Sequence, residues 1–320
     1  MAEFSDLMQF CQVAMSVTDM RRTHRWYQST FGYLPAGGTV FTGDDVSRVQ
    51  DLPDVNTTAW WMVDQQEFFQ LEMFQYSHPS PRVSAGRGPQ DIGYAMIGVH
   101  VTDFDATLRR LRITGGRPLT LPIGRPGARR LCLRDPEGVL IEIMEDNAPT
   151  TTITRPGVPV ATRFVTLSVF DLEEARQQWL DAFDLEEDDA GALHDAEHET
   201  LWGLSGARRR TSVLRAGDRM IELVQYLDPP PNPRPAGYRI SDQGLLNIAM
   251  GSRSQSTTER AWERLGRYCG EGNFLDLGGA GAVGYTTDQQ GFSIELLAAN
   301  PAWDDVKGFQ PQPSNTAPGP

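Results

Sequence analysis

The sequence predicts an α+β fold of four βαβββ modules arranged as two tandem domains. Three observations predict it: a strand-then-helix pattern occurs four times, each copy ends in an apolar strand that contains a glutamate, and the two halves are in register. The four glutamates are Glu72, Glu142, Glu222 and Glu295. Glu222 follows Glu72 by 150 residues, and Glu295 follows Glu142 by 153 residues. This spacing indicates a duplication of a two-module half.

The opening of each module is an alternating strand followed by a capped helix. The clearest copies are VAMSVTDMRRTHRWYQSTFGY (13–33) and VTLSVFDLEEARQQWLDAFDL (165–185), and the same order of strand and helix occurs in 97–116 and 248–270. The alternation is typical of a half-buried strand, and the aspartate after it is well suited to cap the next helix. Short β-branched or aromatic stretches then predict three further strands in each module.

The predicted domains follow the order of the chain. Residues 1–149 form the first domain and residues 164–300 form the second. Residues 150–163 contain two prolines without helical periodicity, and we interpret them as a linker. Residues 301–320 are rich in proline and glycine, which predicts a loosely held tail. Residues 36–56 lack clear periodicity and are interpreted as a mobile lid.

Composition and charge exclude several classes of protein. The net charge of -13 argues against a nucleic-acid partner, because phosphate binding requires a basic surface. No run approaches the roughly 18 apolar residues of a membrane span, and the start lacks a signal-peptide pattern, so a cytoplasmic protein is expected. Three distant cysteines indicate neither a disulfide framework nor a thiolate zinc site. The expected partner is a small molecule, and a homodimer is left open.

The repeated openings, together with RDPEGVLIEIMED (134–146), resemble the vicinal oxygen chelate superfamily, which includes glyoxalase I, bleomycin-resistance proteins, fosfomycin-resistance enzymes and extradiol dioxygenases. The resemblance extends over residues 10–300. It implies that paired modules curl their sheets into half-open cups that hold a metal or a small ligand. It also implies that the ligating residues are the first residue of each opening strand and the glutamate of each closing strand.

The four opening positions contain no histidine: they are Gln12, Met96, Phe164 and Asn247. Phenylalanine cannot ligate a metal, and a methionine thioether is a soft donor that suits a hard divalent ion poorly. The histidines that the family's iron dioxygenases use are therefore missing. An enzyme without iron is expected.

Two module pairings are compatible with the sequence. Pairing within each half gives a first cup with Gln12, Glu72, Met96 and Glu142. Pairing of the first module with the fourth gives a cup with Gln12, Glu72, Asn247 and Glu295, all of which are oxygen donors suited to Mg²⁺ or Mn²⁺. No metal or other cofactor is favoured; a divalent metal is the alternative, held by Gln12, Glu72 and Glu142 or by the oxygen-donor set.

The leading functional hypothesis is a glyoxalase-like enzyme of lyase or isomerase type that acts on an aromatic or apolar metabolite. Burial in a cup raises the pKa of a carboxyl and allows proton transfer near neutral pH. Glu142 and Glu72 are the predicted catalytic residues, and the isoleucines beside Glu142 are expected to desolvate it. The alternatives are a metal-dependent glyoxalase or extradiol-type dioxygenase, and a drug- or metabolite-binding protein without catalysis.

Further residues are predicted to contact the substrate through the cup walls: Gln12, Met96, Trp60, Trp61, Tyr76, His100, Asn247 and Glu295. Trp60 and Trp61 lie on opposite faces of one strand, so only one can point inward. His100 shares a face with Met96 at about 13 Å, which places it at the cup mouth. The i,i+4 pair His194 and His198 would bind a metal on a helix, but an exposed loop is expected there.

Overall fold

The computed structural model describes residues 6–83, 86–147 and 154–312. The first half contains two modules. The first consists of β1 (Gln9–Ser16), α1 (Met20–Phe31), β2 (Leu34–Thr42), α2 (Asp44–Val49), β3 (Asn56–Val63) and β4 (Gln70–His78). The second consists of β5 (Gly93–Val101), α3 (Phe104–Thr114), β6 (Arg130–Arg134) and β7 (Leu140–Met144).

The second half repeats this order. The third module consists of β8 (Val160–Ser168), α4 (Leu172–Phe183), β9 (Glu186–Asp188), a 3-10 helix (His198–Trp202), β10 (Arg208–Ala216) and β11 (Arg219–Asp228). The fourth consists of β12 (Gly244–Ser252), α5 (Gln255–Leu265), β13 (Asn273–Asp276), β14 (Gly281–Thr287) and β15 (Ser293–Ala299), and short 3-10 helices lie at Gly278–Ala280 and Pro301–Trp303. The second module departs from βαβββ because the stretch before β6 forms only isolated bridges, Pro118 to Leu133 and Ile123 to Arg130.

The helix that follows each opening strand begins at a side-chain cap. Asp19, Asp103 and Asp171 each accept a hydrogen bond from a backbone N–H in the first turn of α1, α3 and α4. Ser254 does the same for α5. The cap satisfies a backbone donor that has no partner within the helix, so the sequence-predicted helix starts are confirmed.

Two antiparallel ladders decide which modules share a sheet. β1 pairs with β12, which gives an eight-stranded sheet in the order β13-β14-β15-β12-β1-β4-β3-β2. β5 pairs with β8, which gives a seven-stranded sheet in the order β6-β7-β5-β8-β11-β10-β9. The predicted α+β fold of curled sheets is confirmed, and the first module pairs with the fourth while the second pairs with the third. Pairing within each half is therefore wrong.

Strand alternation places the four glutamates on the inner faces of the sheets. Leu71 and Met73 on either side of Glu72 enter the main apolar core, so Glu72 points to the opposite face. The neighbours of Glu142 behave in the same way, since Ile141 and Ile143 are both in that core. The isoleucines therefore pack beneath the sheet and do not surround the carboxyl, contrary to the sequence-based expectation.

Part of the predicted tail is packed against the protein. Phe309 is 8% exposed, and its ring centroid lies 4.9 Å from that of Phe68. Asp304 forms a two-pronged ion pair with Arg253 at 2.5 and 2.8 Å. The prediction of a loose tail from residue 301 is thus wrong for 301–312, because apolar and ionic contacts offset the cost of ordering it. The rest of that tail lies outside the described residues.

Other parts of the predicted organisation can be placed as follows. The expected lid over 36–56 consists largely of β2, helix α2 and the start of β3, at one edge of the eight-stranded sheet. The domain boundaries at 1–149 and 164–300 stay predictions, and each sheet takes strands from both of these segments. Among the described helices, none has the length and apolar character that a membrane crossing requires.

The cross-half ladders make the two halves dependent on each other. We expect fragments 1–149 and 150–320, when co-expressed, to copurify as a one-to-one complex, because β1–β12 and β5–β8 hydrogen bonds join them. Light scattering after size-exclusion chromatography measures this. Ala249→Pro removes a backbone hydrogen-bond donor from β12. If the ladder holds the complex together, this variant should weaken it. Two separate monomers with native circular dichroism would contradict the observed pairing.

Candidate active site

The concave face of the eight-stranded sheet brings together Gln12, Glu72, Asn247 and Glu295; we call this the eight-stranded cup. Gln12 Nε2 donates to Glu72 Oε2 at 2.9 Å and to Glu295 Oε2 at 2.7 Å. Asn247 Nδ2 donates to the same Glu295 oxygen at 3.1 Å. All four side chains are at most 4% exposed. Two carboxyls from opposite ends of the chain therefore converge on one amide nitrogen.

Neutral aromatic donors complete the environment of both carboxyls. Trp61 Nε1 donates to Glu72 Oε1 at 2.8 Å, and Tyr285 OH donates to Glu295 Oε2 at 2.7 Å. Each donor is the cross-strand neighbour of its glutamate, Trp61 on β3 and Tyr285 on β14. No ion pair to either glutamate is found within the described residues. The hydrogen-bond donors to these carboxyls in the described parts of the chain are neutral groups.

Both carboxyls consequently favour the protonated form. Burial, and secondly the nearby Glu295, raise the pKa of Glu72 well above its usual range. Burial raises the pKa of Glu295 to about 7, although its hydrogen bonds from Tyr285, Asn247 and Gln12 favour ionisation. A carboxyl with a pKa near neutrality can give or take a proton under physiological conditions.

Gln70 connects the cup to the segment 301–312. Its Nε2 donates to Gln12 Oε1 at 2.7 Å, which leaves Gln12 Nε2 for the two carboxyls. The carbonyls of Lys307 and Gly308 lie within hydrogen-bond reach of the same amide, at 2.9 and 3.0 Å, when its nitrogen is turned toward them.

The segment 301–312 covers the eight-stranded cup. Gly308 lies against the ring of Trp61 with a φ of +78°, a conformation that disfavours any side chain, and a Cβ there would overlap the indole. Gln312 N donates to Pro35 O at 2.8 Å on β2, and Lys307 Nζ donates to Ala280 O at 2.5 Å. The C-terminal segment thereby bridges both modules over the glutamates.

The seven-stranded cup is filled by a loop of its own chain. His194 lies between Glu142 and Glu222 with a fully buried side chain. Its Nδ1 is 2.8 Å from Glu222 Oε1, and its Nε2 is 3.2 Å from Glu142 Oε1. The same loop places Leu193 and Leu201 in an apolar cluster that lines this cup.

Charged groups surround the glutamates of the seven-stranded cup. Arg130 Nη1 donates to Glu142 Oε1 at 3.0 Å, and Arg209 Nη1 donates to Glu222 Oε1 at 3.2 Å. Trp202 Nε1, from the 3-10 helix, donates to the second oxygen of Glu142 at 3.0 Å. Both carboxylates therefore have cationic partners.

Whereas the pKa values of Glu72 and Glu295 are raised, this network lowers the pKa values of Glu142 and Glu222. Burial favours their neutral forms, but His194 holds the pKa of Glu142 and that of Glu222 at about 2. Burial alone would lower the pKa of His194, yet Glu222 and Glu142 raise it to about 9. The expectation that Glu142 is protonatable near neutral pH is wrong, because a buried imidazolium and a guanidinium keep it ionised.

The expectation of an exposed loop around His194 and His198 is also corrected. His198 Nδ1 is 2.9 Å from Asp195 Oδ1, and the pKa of His198 is lowered by burial and by the His194 charge. Only His198 belongs to the 3-10 helix, so the two imidazoles do not form an i,i+4 pair on one helical face. Both rings instead belong to the polar filling of the seven-stranded cup.

The remaining predicted contacts are divided among several places. Trp61 points inward, whereas Trp60 lies edge-on to His24 at 5.4 Å between ring centroids. Tyr76 packs in the apolar cluster beside the eight-stranded cup, and its hydroxyl donates to Gln50 Oε1 at 3.1 Å. This geometry does not test the predicted substrate contacts. Of these three residues, Trp61 is the one that contacts a glutamate of the eight-stranded cup.

Two other predicted contacts lie away from the eight-stranded cup. Met96 is buried with Phe164 in the apolar lining of the seven-stranded cup, because β5 belongs to the other sheet. His100 Nδ1 lies 2.6 Å from Thr154 Oγ1, in the connection that precedes β8. The proposal of a common site with Gln12 and Glu72 is therefore wrong for Met96, His100 and Glu142.

The donor set of the eight-stranded cup fits a hard divalent cation. Asn247 Oδ1 is a buried acceptor without a partner, and the two glutamates add carboxylate oxygens a few ångströms away. Mg²⁺ and Mn²⁺ accept oxygens of this kind. Within the described residues no cluster of three His, Cys, Asp or Glu side chains occurs, so any cation here needs the amide oxygens of Asn247 and Gln12.

Several site residues were not identified from the sequence. Tyr285 and Gln70 in the eight-stranded cup were missed, as was Trp202 in the other. A usable signal existed for Tyr285, since cross-strand neighbours on one face can be predicted once hairpins are aligned. The neighbours of Glu142 and Glu222 are Cys132 and Val213, which supply no strong donor.

Comparisons with known proteins agree with this fold. Residues 11–132 match the model of the Glyoxalase/Bleomycin resistance protein/Dioxygenase superfamily. Glyoxalase I from Zea mays is 16% identical, with a TM-score of 0.58 over 94% of this chain and 95% of that chain. A Bacillus subtilis protein provisionally described as a dioxygenase is 15% identical, with a TM-score of 0.59 over 96% of this chain and 92% of that chain. No curated protein sequence matches the chain. At these identities the structural matches show the fold.

The His194 network predicts a stability that depends on pH. Because the pKa of His194 is raised to about 9, its contribution is complete below the ordinary value near 6.5 and is lost as the pH rises through 9. His194→Gln should lower the free energy of unfolding by about 3–5 kcal/mol at pH 6, since two buried carboxylates lose a charged partner.

Urea unfolding of wild type and His194→Gln at pH 6 and pH 10 measures this difference. We expect the gap between the two proteins to shrink markedly at pH 10. His100→Gln is the matched control, because its imidazole has a hydroxyl partner and its pKa is lowered. An equal gap at both pH values would show that His194 acts by packing alone.

Proposed function

We propose that this member of the glyoxalase/bleomycin resistance protein/dioxygenase superfamily is an enzyme that moves a proton on a small aromatic or apolar substrate, with Glu72 and Glu295 as its acid–base pair. The observation that supports it most is the meeting of these two carboxyls on Gln12 Nε2, with neutral donors only. The reaction class is an isomerisation or an elimination, and the proposal replaces Glu142 with Glu295.

The pair has the properties that proton transfer requires. Two like charges a few ångströms apart in a buried site cannot both form easily, so the pair holds one proton near neutral pH. The carboxylate abstracts a proton from a carbon beside a carbonyl and becomes protonated, and the partner donates its own proton to a neighbouring atom and becomes the carboxylate. Once Glu295 carries the proton, Tyr285 and Asn247 can turn their hydrogen bonds from it to the oxygen on which charge develops.

The position of Gln12 Nε2 marks where the reacting group would lie. It occupies the point of closest approach to both carboxyls, at 2.9 and 2.7 Å. A substrate that takes this place must turn the Gln12 side chain away. Trp61 provides the adjacent flat apolar surface, which is our reason for proposing an aromatic or apolar ligand.

A divalent cation, if bound, would be held by Glu72, Glu295 and the amide oxygens of Gln12 and Asn247. It would supply Lewis-acid polarisation of a substrate carbonyl. In either case the protein's own part is unchanged: the glutamates hold and move the proton, and the covered cup excludes water.

Access requires the segment 301–312 to move. It lies over Trp61 and Gln70, and its main ionic attachment is the Asp304–Arg253 pair. Closure of such a cover over a bound substrate removes water from the site. We therefore propose that this C-terminal segment opens and closes during turnover.

Solvent isotope exchange tests the proposal without a known product. Purified protein is incubated in D₂O with a panel of aromatic and apolar carbonyl compounds, and mass spectrometry detects those that gain deuterium. We expect Glu72→Gln and Glu295→Gln to lower the exchange rate by about 10² or more, the usual contribution of a positioned acid or base.

Glu142→Gln is the matched control, since Glu142 occupies the equivalent strand position in the other cup. It should keep the exchange rate while lowering the midpoint of thermal unfolding. Parallel reactions with EDTA and with added Mn²⁺ show whether a cation is needed. Exchange that is lost in Glu142→Gln and kept in Glu295→Gln would refute the assignment, and stoichiometric binding with recovery of unchanged ligand would identify a binding protein.

The pH profile of the reaction gives a second test. With the pKa of Glu295 at about 7, kcat/KM should rise with pH and level off above that value if Glu295 is the base. Tyr285 donates to this carboxylate and lowers its pKa, so Tyr285→Phe should move the break to higher pH. Tyr226→Phe, which removes a hydroxyl from the other sheet, should leave the break in place. An unmoved break in Tyr285→Phe would show that another group titrates.

A further inference from the structure

A cavity of about 660 Å³ lies apart from both cups. Its walls are the connection that leads into β5, the β6–β7 turn and the connection that leads into β12. None of the cup glutamates lines it. Sites for small molecules usually have volumes of roughly 300–1,000 Å³, so this cavity is large enough for a metabolite.

Four arginines line the cavity: Arg82, whose partner is Asp242, and Arg87, Arg134 and Arg234, one from each wall segment. The hydrogen bonds of Arg87, Arg134 and Arg234 go to backbone carbonyls. Arg134 donates to Gly138 O and to Arg87 O, both at 2.6 Å, Arg87 donates to Ile92 O at 3.0 Å, and Arg234 donates to Gly291 O. In the part of the chain that the structure describes, none of the three forms an ion pair with a carboxylate.

The acids that line the cavity are already paired inside the protein. Their partners are Arg82 for Asp242 at 2.6 Å, Arg22 for Glu137 at 3.0 Å and Asn232 for Asp91 at 2.7 Å. Asn232 is neutral, so the charge of Asp91 still offsets one arginine, and two positive charges are left in excess on this surface. Such an excess is unexpected in a chain with a net charge of -13.

The arginines also oppose one another. Burial lowers the pKa of Arg87; the charge of Asp91 raises it, and the charge of Arg234 lowers it again. An anion in the cavity would relieve this repulsion and accept hydrogen bonds from these guanidinium groups. A guanidinium binds carboxylate or phosphate through paired hydrogen bonds, which makes three converging arginines selective for more than one negative charge.

Another part of the lining is apolar, and a glycine leaves Arg234 uncovered. Ile92, Val139 and Leu245 supply aliphatic surface. Gly93, at the start of β5, has no side chain to cover Arg234: a Cβ there would lie 3.7 Å from Arg234 Nε. The cavity thus combines a cationic end with an apolar wall.

We propose that this cavity binds a small organic dianion, a phosphate monoester or a dicarboxylate, through Arg87, Arg134 and Arg234. The apolar part of the ligand lies against Ile92 and Val139. Because the walls come from the connections between the two sheets, the bound ligand joins segments of both halves and stabilises the folded protein. This binding does not depend on the chemistry of the eight-stranded cup.

Calorimetric titration and thermal unfolding test the proposal with three probes: inorganic phosphate, phenyl phosphate and succinate, with sodium chloride at matched ionic strength as the reference. We expect saturable binding of at least one dianion and a concentration-dependent rise of the unfolding midpoint. Arg234→Gln and Arg87→Gln should each weaken binding by about tenfold or more, the loss expected for hydrogen bonds to a charged group.

Arg260→Gln, an exposed residue of α5 outside the cavity, is the matched control and should bind as wild type does. Stronger binding of phenyl phosphate or of succinate decides between the two ligand classes. The unfolding midpoints without ligand show that each variant is folded; Arg234 also lies 4.8 Å from the ring centroids of Tyr238 and Phe292, so if Arg234→Gln unfolds, Arg87→Gln provides the test. An equal response to chloride, or equal affinity in the folded cavity variants, would overturn the proposal.

Discussion

The antiparallel ladder between β1 and β12 is the interaction on which the candidate site depends. It joins the first and last modules into one sheet and so places Glu72 opposite Glu295. The ladder between β5 and β8 does the same for Glu142 and Glu222. Each pair of carboxyls then meets across two adjacent opening strands, in one case bridged by Gln12 and in the other by His194.

One strand position produces two opposite electrostatic environments. Glu72 and Glu295 have the neutral donors Trp61 and Tyr285 as cross-strand neighbours, and burial then favours protonation. Glu142 and Glu222 have Cys132 and Val213 there, and their donors come from a charged loop and from arginines. A buried carboxyl is ionised when a cation is within hydrogen-bond reach and neutral when only dipoles are. The eight-stranded cup is thus suited to proton transfer, and the seven-stranded cup to stability.

Local pattern was enough to predict the modules, because alternation and capping depend on neighbours within about four residues. The helix starts at Asp19, Asp103 and Asp171 follow from it, whereas the inward direction of the glutamates was an implication of the family resemblance. Module pairing was not predictable in this way, since an open strand edge such as that of β1 can accept several partners. The choice between the two alternatives left by the sequence is made by contacts far apart in the chain.

The loop that fills the seven-stranded cup was not predicted from the sequence, for a related reason. His194 lies in a stretch rich in acids, which is typical of an exposed loop, and its burial depends on Glu142, 52 residues away. The segment 301–312 shows a second case. Its proline and glycine content predicted a loose tail, but Phe309 packs on Phe68. In both, a partner far along the chain determines burial.

The eight-stranded sheet joins strands from both ends of the chain, and this has a consequence for biosynthesis. Gln12 and Glu295 are 283 residues apart, so at about 5–20 residues per second the first strand leaves the ribosome roughly 15–55 seconds before its partner glutamate is made. The seven-stranded sheet, with His194 only 52 residues from Glu142, can close earlier. During that interval the free edge of β1 and its apolar face are without their partner, which makes this strand the natural target for a chaperone that acts on nascent chains.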